Sequence, residues 1–548
     1  MRLTRVRGLL LGTAIAMVPA AAALAEHAAI TAEEMTEHVK VLASDAFEGR
    51  KPGTAGEQKS LDYITGQFRA LGLEPAVGDS YLQRVPLVEV TGLSQSPLTV
   101  KGPGGEKSYD FFTQMITVSR RPEPEQALTD SEVVFVGYGI VAPEYGWNDY
   151  AGLDVRGKTV VVLVNDPGFA TQDPSLFNGN AMTWYGRWPY KYEEAERQGA
   201  AGVLIVHETR AAGYPWAVVT NSWRVPKLDL VPPDGGRSRP VIQGWVQQDV
   251  AREMFSLAGQ DFDALAKSAA QRGFKPVPLK LTASAAVSNK VRTFDSYNVI
   301  GKLTGSKRPD EVVLISAHWD HLGRGPAMDG DDIYNGAMDN ATGVAGLIEL
   351  AEAFAKGERP ERTIAFLSYT AEEQGLLGSE YYAKNPVFPP ARTVGGFNMD
   401  MLNPFGPMRD IVVTGAGKSE LEDRLARWAA DNGKVVKPEP FPERGLYYRS
   451  DHFPLAKIGV PMMFAGSGVD SIEHGEEWGR AQYNEFTRLR YHTPHDEWLP
   501  GMDLTGAVDD LRMVYDLSRD LANGTDWPSW YKGSEFRAVR ETSLKEGR

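Results

Sequence analysis

Six residues that can bind a metal or carry a proton fall at or near the ends of apolar, strand-like runs. They are His318 in AHWDH, Asp339 in GAMDN, Glu372 and Glu373 in AEEQG, Asp400 in NMDM and His492 in YHTPHDEW. Two imidazoles, three ligating carboxylates and one carboxylate free to move protons are what a two-zinc hydrolase requires. One histidine at a strand end is more often structural, and a charge just beyond an apolar strand is often a plain terminator. His318, Glu372, Glu373 and Asp400, however, each follow such a strand closely, which puts all four at one sheet edge, where open α/β sheets carry their sites. Adjacent glutamates repel, and in a cleft at least one gains proton affinity unless a cation is present. With a metal, one can ligate while its neighbour takes a proton from water. Asp320, two residues after His318, reads equally as an orienting partner for the imidazole and as a turn residue before His321-Leu322-Gly323.

The elements that must hold these residues follow from periodicity. From about residue 298, short apolar strands alternate with longer helices, which predicts an α/β sheet. Strands are expected at 312–317, 363–369, 396–399, 411–414 and 461–464, and helices at 341–355, 420–432 and 506–522. Ser419 with Glu422 forms a capping box for the second of these helices, and Gly433 stops it. Upstream, helices are expected at 32–42 and 56–73 on either side of the glycine- and charge-rich loop DAFEGRKPGTAGE. Residues 80–285 are dominated by β-type runs, clearest at 132–138, 159–165 and 202–207, with one helix in KYEEAERQG. Together these patterns divide the chain into an N-terminal part of the catalytic domain (26–85), a β-rich insertion with flanking strands (86–285), the catalytic domain proper (286–530) and a surface-wrapping tail (531–548).

Residues 1–25 read as a cleaved secretory leader, with Arg2, Arg5 and Arg7 before an apolar stretch and Ala23-Leu24-Ala25 as the cleavage site. The expected location is periplasmic or secreted. With no cysteine among 548 residues, disulfides and thiolate metal sites are excluded, so any metal is held by His, Asp and Glu. The net charge of −14 argues against nucleic acid or anionic membrane as partners. No stretch after the leader is long and apolar enough to span a bilayer.

The ordered motifs AHWDHLG, NGAMDNATGVAGLIELAEAF, SYTAEEQGLLGSEYY, NMDM and YHTPHDEW resemble those of the co-catalytic dizinc exopeptidases, the superfamily of bacterial aminopeptidases, plasma glutamate carboxypeptidase and glutamate carboxypeptidase. The segments YGIVAPEYGWNDYAGLDVRGKTVVVLVND and AAGVLIVHE are similar to a protease-associated domain. The resemblance implies an α/β zinc-exopeptidase fold, with a central mixed, mostly parallel sheet flanked by helices and an inserted protease-associated domain. It implies two Zn2+ per chain, with Asp339 bridging, His318 and Asp400 on one ion and Glu373 and His492 on the other. Glu372 becomes the general base, Asp320 the partner of His318, and Tyr491 a donor to the oxyanion.

Hydrolysis of small peptides is therefore expected, with aminopeptidase action preferred over carboxypeptidase or dipeptidase action. The acidic residues Glu473, Glu476 and Glu477 of SIEHGEEWG are candidates to hold a free N-terminus, although such a loop is usually only solvated. Glutaminyl cyclisation with a single zinc and a non-catalytic receptor-like role are the readings from other classes. The arginine cluster of the glutamate-specific carboxypeptidases has no counterpart in the motifs.

Overall fold

A computed structural model describes residues 30–222 and 225–547. The expected leader lies outside the described residues. The chain opens with helix α1 (Ala32–Leu42), whose first turn is capped by the Thr31 hydroxyl accepting from the Glu34 amide, and helix α2 (Ala55–Ala70). Strand β1 (Leu82–Gln95) then leaves this N-terminal part and leads into the insertion. There β2 (Glu125–Phe135), β3 (Thr159–Leu163), helix α3 (Trp188–Arg197), β4 (Gly202–His207) and β5 (Ile242–Gln247) follow in order. β2, β3, β4 and β5 pair in parallel in that sequence.

The chain returns through β6 (Val277–Leu303), a strand of 27 residues. Its first part pairs antiparallel with β2, its middle with β1, and its last residues, Val299–Leu303, with the C-terminal α/β sheet. The boundary expected near residue 285 therefore falls inside one continuous strand. Bulges at Ser288/Asn289 and near Ala283/Ala285 break its alternation, and this irregularity makes one strand read as two.

The C-terminal α/β part is built from β7 (Arg308–His318), helix α4 (Thr342–Lys356), β8 (Arg362–Tyr369), β9 (Thr393–Asn398), β10 (Asp410–Val413), helix α5 (Leu421–Asp431), β11 (Met462–Ser467), helix α6 (Glu476–Leu489), helix α7 (Thr505–Asn523) and helix α8 (Arg537–Glu546). β8, β7, β9 and β11 run parallel, with β6 and β10 antiparallel on the flanks. β8 is buried along its whole length, as a strand covered by helices on both faces must be, so its sequence RTIAFLSY is a nearly unbroken apolar run. Helices α1, α2, α4 and α7 cover one face in a single large apolar cluster.

Three expectations need correction. The capping box at α5 is half formed: Glu422 accepts from the amides of Gly417, Lys418 and Ser419, but no side chain caps the helix start. SIEHGEEWG is not all loop, because Glu476 and Glu477 begin α6. The tail does more than wrap the surface, since Arg540 of α8 is buried and donates to the carbonyls of Pro390, Thr393 and Val394. No helix of the described residues is long and apolar enough to cross a membrane.

Candidate metal centre

Because β7, β8 and β9 are parallel and in register, their C-terminal ends deliver their next residues to one edge. His318 is the last residue of β7, Glu372 and Glu373 follow β8, and Asp400 follows β9. Several turns there adopt left-handed backbone: Ala371, Met401 and His492 have φ of 52°, 54° and 57°. Such conformations are costly for non-glycine residues and persist where surrounding structure holds them. Gly336, at φ 61°, has no room for a side chain, since a Cβ would lie 2.2 Å from the Asp339 carbonyl and 2.5 Å from the His321 ring. The irregular turn 337–341 that follows carries Asp339 and then enters α4.

Asp339 lies between two imidazoles. One carboxylate oxygen is 3.4 Å from His318 Nε2 and the other is 3.2 Å from His492 Nε2. Asp400 Oδ1 is 3.4 Å from His318 Nε2, and Glu373 Oε2 is 3.0 Å from His492 Nε2. Glu372 Oε2 stands 3.9 Å from His318 Nε2. All six residues expected from the sequence thus converge. His318, Glu372 and Asp400 offer donor atoms within 4.8 Å of one another, and so do His321, Asp339 and Glu373.

The electrostatics separate the two glutamates. Burial pushes the Glu372 carboxyl well above the ordinary range; His318 opposes this, while Asp400, Glu373 and Asp451 add to it. Burial and Asp339 would also raise Glu373, but the imidazoles of His492 and His321 bring it down to about 2. Burial disfavours charge on His318 and His492, yet the surrounding carboxylates hold both well above the usual imidazole range. A site that draws protons onto two buried imidazoles is short of positive charge, which a divalent cation supplies. His492 Nε2 and Glu373 Oε1 are buried without an aligned hydrogen bond despite their close neighbours. Converging nitrogen and oxygen donors that do not satisfy one another fit a borderline cation such as zinc.

Asp320 orients more than His318. Its carboxylate accepts from the Glu372 amide at 2.9 Å and the Glu373 amide at 3.4 Å, and its Oδ1 is 3.7 Å from His318 Nδ1. Tyr491 stacks on the His492 ring at 3.8 Å between centroids, with its face partly open to solvent. Glu473 is highly exposed, and Glu476 is occupied by Lys437 and Arg480.

Five residues of the site were not singled out from the sequence. Asp496 accepts from the amides of Met338 and Asp339, both at 3.0 Å, and so steadies the turn carrying Asp339. Buried Arg50 donates to the carbonyls of Leu42, Trp319, Asn335 and Gly336, tying the turns after His318 and before Asp339 to α1. His321 Nδ1 lies 2.6 Å from Glu373 Oε1. Ser450 donates to Asp400 Oδ2 at 2.7 Å, and next to it Asp451, bonded to Ser379, is raised by burial to about 7. The available signal was repetition of chemistry-bearing types: a second histidine in HWDH, and RSDH at 449–452.

Residues 298–508 match the profile of Peptidase family M28. Leupeptin-inactivating enzyme 1 of Streptomyces exfoliatus is 28% identical over 223 residues, which cover 39% of this chain and 47% of that protein. Aminopeptidase YwaD of Bacillus subtilis (strain 168) is 26% identical over 462 residues, 83% of this chain and 77% of that protein. The chain thus spans about half the length of the first relative and about three quarters of the second. Among solved structures, an aminopeptidase from Aneurinibacillus sp. strain AM-1 shares the fold, with 20% identity, coverage of 92% of this chain and 97% of that one, and a TM-score of 0.50. Residues 298–508, which carry all six candidate metal and proton-transfer residues, are thus a Peptidase family M28 segment.

Proposed function

We propose that this protein is an exported zinc-dependent exopeptidase that removes residues from the N-termini of small peptides. The observation that carries this reading is Asp339, whose two carboxylate oxygens each face a different imidazole, the arrangement of a ligand shared by two ions. In this reading His318 and Asp400 complete one site, and Glu373 and His492 the other. Zinc, when bound, supplies Lewis-acid polarisation of a carbonyl and lowers the proton affinity of a water.

The chain's own residues do the rest. Glu372, kept basic by burial and by neighbouring carboxylates, takes a proton from the attacking water and returns it to the leaving amine. Asp320 holds the Glu372 and Glu373 amides so that one carboxylate ligates and the other stays free. The Tyr491 hydroxyl donates to the oxyanion. The β-rich insertion acts as a protease-associated domain that restricts the cleft to short peptides. The leader at 1–25 directs export.

Elemental analysis is expected to give about two zinc ions per chain. Glu372→Gln should lower the rate by about two to four orders of magnitude while zinc stays bound. N-acetylation of the peptide should abolish cleavage. One zinc in fully active protein would replace this reading with the cyclase. Equal rates on blocked and free peptides would reject the aminopeptidase assignment, and loss of cleavage on amidating the C-terminus alone would support a carboxypeptidase.

A further inference from the structure

Helix α4 packs between α1 and the strands β7 and β8, and its sequence TGVAGLIELAEAFAK is apolar almost throughout. Two glutamates interrupt it one turn apart, and the side chain of the first, Glu349, has no exposed surface. A buried carboxylate is costly unless it is paired and fully hydrogen-bonded. Glu349 meets only part of that requirement. Its Oε2 accepts from the Thr31 amide at 3.1 Å, while its Oε1 is buried with no hydrogen bond among the described residues.

Instead of a counterion, Glu349 faces more carboxylates. Glu34 in the first turn of α1 and Glu352 of α4 bring carboxylate oxygens within 4.8 Å of a Glu349 oxygen and of each other. Glu34 alone is ordinary, since acids favour a helix amino end, but that leaves the buried Glu349 unexplained. His38, one turn along α1, has its Nε2 3.8 Å from Glu349 Oε1, too far for a hydrogen bond. Its Nδ1 is fixed by the Tyr63 hydroxyl of α2 at 2.6 Å. An imidazole anchored through one nitrogen, with the other turned toward carboxylates, is how metal-ligating histidines are oriented. Lys356 pairs with Glu352 from the exposed rim and neutralises one charge of the three. The imidazole does not supply the rest, because burial lowers its proton affinity. Burial, Glu34 and Glu352 raise the Glu349 carboxyl to about 8, against the Thr31 amide and Lys356, as expected where positive charge is short.

We propose that Glu34, Glu349 and Glu352, with His38 Nε2 as a nitrogen donor beside them, bind a divalent cation that clamps α1 onto α4, separately from the centre around Asp339. Glu349 lies about 10 Å along α4 from the start of that helix, at a rise of about 1.5 Å per residue, so the two centres share no ligand. Oxygen donors predominate and Glu34 is exposed. The ion is therefore of the calcium or manganese class, with water completing its shell. It joins the first helix of the described chain to the helix that springs from the Asp339 turn, and its role is to stabilise the fold.

The test titrates MnCl2 into the chain preloaded with about two equivalents of zinc. Binding is read from the loss of the free Mn2+ signal in electron paramagnetic resonance, with thermal unfolding followed in parallel. About one Mn2+ per chain is expected, with a Kd of about 10−4 to 10−3 M, the range of extracellular carboxylate sites. Saturation should raise the unfolding midpoint by a few degrees. Adding CaCl2 distinguishes the two ions: displacement of Mn2+ by an equal or lower concentration assigns the site to calcium, and retention against an excess assigns it to manganese. Glu349→Gln keeps the shape and removes the charge, so it should weaken binding at least about 10-fold and abolish the rise in midpoint while zinc stays in place. Glu34→Gln, at an exposed position whose amide rather than side chain is capped by Thr31, should also weaken binding and decides the matter if Glu349→Gln does not fold. Neither Mn2+ nor Ca2+ binding at millimolar concentration would overturn the site. Binding that survives both glutamine variants but disappears in Asp339→Ala would place the ion at the other centre and overturn it as well.

Discussion

Replacing Arg50 with methionine should damage this protein more than any single loss at its surface. The Arg50 guanidinium is fully buried and donates at 2.9 Å to Trp319, 2.8 Å to Leu42, 2.6 Å to Asn335 and 2.8 Å to Gly336, all carbonyl oxygens. Methionine fills most of the volume and leaves the Leu42, Trp319 and Asn335 carbonyls without a donor, while the Ala341 amide still serves Gly336. Each orphaned acceptor costs about 1–3 kcal/mol, and relaxation recovers part of the sum, so the expected loss is about 3–5 kcal/mol. That is a large share of a typical stability margin. Arg50 is also a cation set among Asp496, Asp339, Asp320 and Glu373, so its removal increases repulsion in the metal-free site. The loss should therefore be greater in chelator-treated than in zinc-loaded protein. Urea unfolding followed by tryptophan fluorescence reads both states, with Trp319 beside the clamp as a reporter. Arg50→Lys, with a single donor centre in place of a fork, should recover only part of the loss. A change below about 1 kcal/mol in both states would show that the orphaned carbonyls find other partners and that Arg50 is not what ties these turns together.

Two further expectations follow from burial and charge. Asp339→Ala should reduce zinc from about two ions per chain to well below one, because the shared ligand serves both sites, whereas His318→Ala should mainly weaken one; elemental analysis after gel filtration distinguishes the two. Asp510 of α7 is buried against the Ser467 hydroxyl at 2.9 Å, and burial raises its carboxyl to about 7. The folded state then binds a proton that the unfolded state releases, so this group costs at most about 4 kcal/mol of stability as pH rises from 4 through 7. Asp510→Asn should flatten that decline and unfold at a higher temperature than the parent at pH 8; an unchanged pH profile would refute it.

The ligand set was legible because each member follows a recognisable apolar strand and its chemistry is carried by residue type. Arg50 and Asp496 were not, because most of their partners lie far along the chain: three of the four carbonyls Arg50 serves are 269 to 286 residues away, and Asp496 acts on amides 157 and 158 residues away. Helix α6 escaped notice because only Gly479 and Phe486 of its fourteen residues are buried, too few to mark an apolar face.

The long strand β6 imposes an order of events on synthesis. Leu82 of β1 pairs with Val299 and Gln95 with Val287, so β1 emerges roughly two hundred residues before its partner. At about 5–20 residues per second that delay is on the order of 10–40 s. Throughout it, the apolar residues Val85, Leu87 and Val88 and the strand's unpaired backbone edge are without their final cover, which makes the nascent chain prone to mispairing. The insertion can close on itself only as β6 arrives, and the same residues then close the flank of the catalytic sheet. Maturation of the two halves is thereby synchronised: a ribosome stalled before residue 277 would hold a catalytic centre with none of its ligands and an insertion with no closing strand.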